Sequence, residues 1–167
     1  MNRMTFTVLC AFMFTQLCTG SQTLETEFAK GPLGPEVVYL VKDNNEHVGM
    51  VYVAKIPCMP WYILYNLHVS KEHRNKGIAT KLLIHAIQEI AQGQGRLIFI
   101  QPGPYEFGDN GECIQDTKNI EKTEALVRLY TRVGFQPASS YHQLIATALY
   151  YLMGMTEDPN NLMVQYL

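Results

Sequence analysis

Charge is scarce in this chain, and neither sign prevails. Asp, Glu, Lys and Arg make up 17% of 167 residues, and the formal net charge is −2. A nucleic-acid partner would call for a basic excess, so none is expected. The four cysteines, Cys10, Cys18, Cys58 and Cys113, include no CxxC pair and are too sparse for a disulfide framework. The five histidines include no HExxH pair, so no metal site is read here. The absence of GxxxxGK(S/T) and of GxGxxG excludes a Walker P-loop and a Rossmann fingerprint. Neither an internal repeat nor a low-complexity block occurs. The longest apolar run, Met4 to Leu17, falls short of the about 20 residues that span a membrane. No stable membrane span is expected.

What is present is a globular composition, 47% apolar, in a chain of single-domain length. The N-terminus admits two readings. Arg3, the apolar run and Cys18-Thr19-Gly20 follow the plan of a signal peptide cleaved before Ser21. The same stretch, "MTFTVLCAF", would also suit a buried first strand. Residues 1–20 are thus a leader or a strand, and residues 21–167 form one domain. A required first strand favours an intracellular, cytoplasmic protein, and the small residues before Ser21 favour export.

Along the chain, "SQTLETEFAKGPLGPE" reads as a short helix or linker. "EVVYLVKD" and "HVGMVYVAKI" flank Asn44-Asn45 and read as a hairpin. "WYILYNLHVS" has almost no polar position, as expected of a central strand buried on both faces. Ile78, Leu82, Leu83, Ala86, Ile87 and Ile90 recur at helical spacing, and Gly93 and Gly95 end that helix. "RLIFIQ" is the next strand, so the strand–helix–strand unit implies a right-handed parallel crossover. A long Gly/Pro/Asp-rich segment, "PGPYEFGDNGECIQDTKN", is a candidate lid. A second helix carries Leu126, Leu129, Tyr130 and Val133 on one face and ends at Gly134. "IATALYYLMGM" reads as a last strand. The fold class is α/β, an α+β sandwich around a central parallel pair.

One stretch stands out against this background. In "EHRNKGIATKLL" basic residues crowd a helix N-terminus, where the macrodipole favours anions. A bound phosphate would resolve the conflict. The turn offers free backbone N–H groups, Gly77 and Ala79 allow close approach, and Arg74 and Lys76 can neutralise a diphosphate.

Arg74-x-x-Gly77-x-Ala79 resembles the R/Q-x-x-G-x-G/A signature of the GNAT acetyltransferase superfamily. Further on, "LYTRVGF" (Leu129 to Phe135) is similar to that family's second signature, at the end of a helix. The resemblance covers Val37 to about Leu152. It implies a mostly antiparallel sheet with a central parallel pair flanked by helices, and an acetyl-CoA-dependent N-acetyltransferase acting on a primary amine. Acetyl-CoA is the implied co-substrate, bound through Leu67, His68, Val69, Arg74, Asn75, Lys76, Gly77, Ile78, Ala79 and Thr80. Tyr130 matches the tyrosine that protonates the departing thiolate, and His68 is closest to the expected thioester. Tyr62, Tyr65, Tyr105 and Glu106, with Trp61, are candidates to meet the amine acceptor, a small molecule or a peptide or protein amine.

Two departures accompany the match. "WYILYNLHV" lacks the carboxylate that serves many members as general base, leaving Tyr62, Tyr65, His68, Glu106 or a water chain for that role. Thr123 stands where an asparagine is common. A second function class therefore stays open, a CoA-binding or protein-interaction module without the chemistry. In this topology Cys58 and Cys113 lie at opposite ends of the parallel pair, so both are expected as free thiols. A monomer and a homodimer are equally compatible with these features.

Overall fold

The computed structural model describes residues 22–31, 34–103, 105–107, 113–115, 120–152 and 162–167. The candidate leader, with Cys10 and Cys18, lies outside them. Asn44 and Asn45 take φ of 51° and 66°. A two-residue hairpin turn that follows strand twist needs such angles, and Asn tolerates them. The turn joins β2 (Gly34–Asp43) to β3 (Glu46–Lys55) in an antiparallel pair.

The segment expected as a helix or linker is instead a strand. β1 (Gln22–Gly31) pairs antiparallel with β2 from Gln22–Asp43 to Gly31–Gly34. It forms the sheet edge, and most of its side chains are exposed, so no apolar face marks it in the sequence.

β4 (Trp61–Val69) pairs antiparallel with β3 and parallel with β5 (Leu97–Ile100). α1 (Ile78–Gln92) makes the crossover between them. A short antiparallel pair, β6 (Tyr105–Phe107) and β7 (Cys113–Gln115), stands apart as its own sheet. α2 (Ile120–Arg132), β8 (Gln136–Pro137), α3 (Ser140–Leu152) and β9 (Met163–Tyr166) complete the order. The seven-stranded sheet runs β1-β2-β3-β4-β5-β9-β8, with β4–β5 its parallel pair. The mixed α/β class and central parallel pair match the expectation.

The expected last strand is helical. "IATALYYL" is the later part of α3, which starts where the Gln143 N–H donates to the Ser139 carbonyl at 2.9 Å. Ile, Thr and Tyr lean the segment toward strand by propensity, but the preceding Ser pair starts a helix. The true last strand, β9, is too short to display a period.

Two apolar clusters hold the sheet. On one face α1 and α2 cover Tyr39, Val51, Leu64, Ile98 and Ile100 through Leu82, Leu83, Ala86 and Tyr130. Each fully buried Leu or Ile contributes about 1.5–3 kcal/mol. On the other face Ile63, Phe99 and Val164 pack with Trp61, Tyr65 and Ile145 of α3.

β4 departs from the doubly buried strand expected of it. Its pairing with β5 stops at Leu64–Ile100, and of its nine residues only Ile63 and Leu64 are buried. Its ladder with β3 also slips. Tyr65 faces Tyr52 and His68 faces Met50, so Asn66 and Leu67 together oppose Val51. Asn66 makes this β-bulge possible at φ 51°. The bulge inverts the alternation of the strand. Leu64, Leu67 and Val69 look toward α1, whereas Tyr65 and His68 share the opposite face with Tyr52 and Met50.

Cys58 is a free, exposed thiol in the loop before β4. Cys113 belongs to β7, and its side chain lies outside the described residues.

Candidate functional site

Where β4 and β5 part, a cleft of about 600 Å³ opens. Its walls come from four places. They are Tyr65–Val69 of β4, the turn and first residues of α1, the end of β5 from Ile100 to Gly103, and one face of α2.

The turn into α1 leaves backbone donors without acceptors in the helix. Lys71–His73 form a single 3₁₀ turn, and Asn75 and Gly77 then take φ of 62° and 78°. The helical ladder of α1 starts with the Lys81 N–H donating to the Gly77 carbonyl at 3.0 Å. The N–H groups of Ile78, Ala79 and Thr80 therefore have no acceptor within the helix. No side chain caps them, and no acidic residue lies in the first turn. These donors and the positive helix end favour a phosphate. His73, Arg74, Lys122 and Arg132 add basic side chains to the same cleft. Arg74 also braces the turn, its Nε donating to the Val69 carbonyl at 3.1 Å. His73 is held at both ring nitrogens, by Ser70 Oγ at 2.9 Å and Asp43 Oδ2 at 3.5 Å.

Beyond Leu64 the side of β4 that faced β5 has no strand beside it among the described residues. An extended chain bearing amide groups can pair there as an added strand. The bulge at Asn66–Leu67 breaks the ladder with β3 on the other side of the strand from this edge.

Tyr130 reaches the cleft from α2 and is 3% exposed. Burial pushes its hydroxyl well above the ordinary tyrosine value. Tyr65 is raised too, first by burial and then by a hydrogen bond to Glu36 and the charge of that carboxylate. Glu36 itself is 2% exposed.

Of the residues singled out from the sequence, the cleft gathers Tyr65, Leu67, His68, Val69, Arg74, Asn75, Gly77, Ile78, Ala79, Thr80 and Tyr130. Lys76 is exposed and is not part of the lining. Tyr62 is not part of it either. It sits near the start of β4, where a Cβ on Gly95 would come within 2.9 Å of its ring. Trp61 packs edge-on to Phe99 at 6.0 Å. Tyr105 and Glu106 belong to β6, and their side chains lie outside the described residues. Asn66, Gln101, Lys122 and Arg132 line the cleft without having been singled out. Asn66 alone carried a signal, a polar left-handed former inside an apolar run. Among the described residues no group of three His, Cys, Asp or Glu is placed to hold a metal ion. No helix among them is long and apolar enough to cross a membrane.

Comparison with known proteins adds to this geometry. No curated protein sequence matches the chain significantly. A structure assigned as an acyl-CoA N-acyltransferase from Klebsiella pneumoniae superposes with TM-score 0.55 at 16% identity, covering 96% of this chain and 86% of the other. A GNAT-family acetyltransferase from Staphylococcus aureus gives 0.54 at 17%, covering 79% and 68%. The PaiA N-acetyltransferase from Thermoplasma acidophilum, solved with coenzyme A, gives 0.50 at 14%, covering 79% and 61%. Identities this low speak for the fold alone. The sequence itself matches the family model "Acetyltransferase (GNAT) domain" over residues 34–137 of 167. By that match, on the split sheet just described, the chain belongs to the GNAT acetyltransferase family.

Proposed function

We propose that residues 21–167 act as one catalytic domain that moves the acetyl group of acetyl-CoA onto a primary amine. The observation that carries this reading is the continuity of the cleft. It runs from the donor-rich turn at Gly77, along the edge of β4 that is unpaired among the described residues, to Tyr130. Solved structures of similar fold support it, one with coenzyme A and one from Bacillus anthracis, assigned as a streptothricin acetyltransferase, with acetyl-CoA.

Acetyl-CoA, when bound, supplies an acetyl group activated as a thioester. The amides of Ile78, Ala79 and Thr80 would donate to its diphosphate, with Arg74, Lys122 and Arg132 balancing the charge. The backbone of Tyr65–Val69 would pair with its amide-bearing arm. An N–H at the bulge, from Leu67 or His68, would polarise the carbonyl. Tyr130 would donate to the departing sulfur, and its raised hydroxyl stays protonated at any working pH. His68, one face away, borders the acceptor side.

The absence of a carboxylate on β4 favours the competing reading, a CoA-binding module without turnover. Calorimetry with acetyl-CoA, followed by CoA release over tyramine, spermidine and a lysine-containing peptide, separates the two. Binding with CoA release supports transfer. Binding alone supports the module, and no binding removes both.

A further inference from the structure

Among the described residues Glu36 is the sole charged side chain in the buried class. Its Oε1 has no hydrogen-bond partner. An unpaired carboxylate oxygen in an apolar interior is costly, and a native fold that keeps one calls for an explanation. The neighbourhood supplies it. Glu36 lies opposite Ala54, which lies opposite Ile63 of β4. The short Ala54 side chain leaves room for the carboxyl to lean across β3. There it meets the hydroxyl of Tyr65, which donates a hydrogen bond to it. Tyr65 in turn lines the cleft. A buried acid thus stands one hydroxyl away from the place where an acceptor would meet the thioester.

We propose that Glu36 is the proton sink for the acceptor amine, reached through the Tyr65 hydroxyl. This rests on the transfer reading above and fills the role that β4, lacking a carboxylate, leaves empty. It also specifies the acceptor as a cationic primary amine. In the step, an N–H bond of the ammonium breaks and its proton passes to the Tyr65 oxygen. The Tyr65 proton moves at the same time to Glu36. Ammonium and carboxylate become amine and carboxylic acid, and no net charge is created in the buried site. The free lone pair can then attack the acyl carbon. Burial and the Glu36 charge hold the Tyr65 hydroxyl in its protonated form, as a relay requires.

Among the described residues the titratable groups around Glu36 are few. Tyr52 of β3 lies against Tyr65 with ring centroids 5.5 Å apart. Glu27 of β1, opposite Val38, shares the face of Glu36 but is exposed. From α3, Ile145 packs on this cluster, while His142 turns to Phe99 and Tyr166. His68 of β4 shares the face and is the rival base. Because Glu36 acts through Tyr65, it is a positioning residue for the proton.

The test is kcat/KM from pH 6 to 10 with the best amine of the panel above, for full-length wild type, Glu36→Gln, Tyr65→Phe, their double variant and His68→Gln. Acetyl-CoA affinity and Tm are measured in parallel. Glu36→Gln should lose about a hundredfold at pH 7, with affinity and Tm kept. The loss should shrink as pH approaches the amine's own pKa, where solvent already frees the lone pair. Tyr65→Phe should behave alike, and the double variant should be no worse than either single one. Full activity in Glu36→Gln, a loss equal at every pH, or removal of the pH dependence by His68→Gln alone overturns the proposal. Wild type that binds acetyl-CoA but acetylates no amine overturns it together with the amine reading. Failure to bind acetyl-CoA instead overturns the assignment of the cleft.

Discussion

Tyr130 and Glu36 show what is decided at the scale of one residue. The tyrosine was legible, because Leu-Tyr-x-x-x-Gly-Phe at a helix end resembles a known signature. Its burial to 3% exposure was implied by the same helical face. Glu36 was not legible. A glutamate after Gly34-Pro35 at the start of a strand looks solvated, and only pairing with β1 and β3 encloses it. Their energetic signatures also differ. Tyr130→Phe removes a donor and little volume, so turnover should fall about a hundredfold while acetyl-CoA affinity stays unchanged. Because the native hydroxyl stays protonated, wild-type turnover should show no loss attributable to Tyr130 as pH rises to 9. Near-normal turnover in the variant would reduce Tyr130 to packing.

At the scale of the element, the turn into α1 is where sequence and structure agree best. Arg74, Gly77 and Ala79 announced a helix start with free backbone donors, and the uncapped N–H groups are there. The geometry refines how it can be tested. A Cβ on Gly77 meets nothing within 4 Å, so a side chain fits, but φ of 78° strains any residue other than Gly or Asn. Gly77→Glu should cost roughly 1–2 kcal/mol of stability and leave the fold standing. It should weaken acetyl-CoA binding at least about a hundredfold by setting a carboxylate beside the diphosphate. Gly77→Asn, which tolerates the angle without the charge, is the control. Wild-type affinity for Gly77→Glu by calorimetry would place the cofactor elsewhere. Other elements were harder to read, each for a local reason. The Asn44-Asn45 hairpin carried its own turn chemistry. β1 lacks an apolar face because it is an edge, and α3 contains strand-forming residues in a segment that the preceding Ser pair starts as a helix.

Taken whole, the molecule buries tyrosines whose ionisation it resists. Tyr39 is 5% exposed and is pushed up to about 12, chiefly by burial, with Glu89 and Tyr62 adding to the effect. Tyr130 is raised further still. Below the ordinary value near 10 both states keep these protons, and the pH has no hold on them. Above it the unfolded chain releases protons that the native state retains, so stability must fall. The slope is about 1.4 kcal/mol per pH unit for each tyrosine, beginning near pH 10 and continuing to about 12 for Tyr39. Urea midpoints at pH 9, 10.5 and 11.5 should decline over the last two, and a flat series would contradict the burial of these rings. The same sheet has a mechanical side. In those terms it is two plates, β1–β4 and β5-β9-β8, riveted along a seam of four residue pairs from Trp61–Leu97 to Leu64–Ile100. A ligand lying in the gap beyond Leu64 would lengthen that seam and clamp the plates together. Hydrogen exchange should then slow in β5 and β9 as well as in β4 when acetyl-CoA is added, although β9 contributes no wall to the cleft. Slowing confined to the turn at Gly77 would mean that the plates were already rigid, and that the seam bears no load.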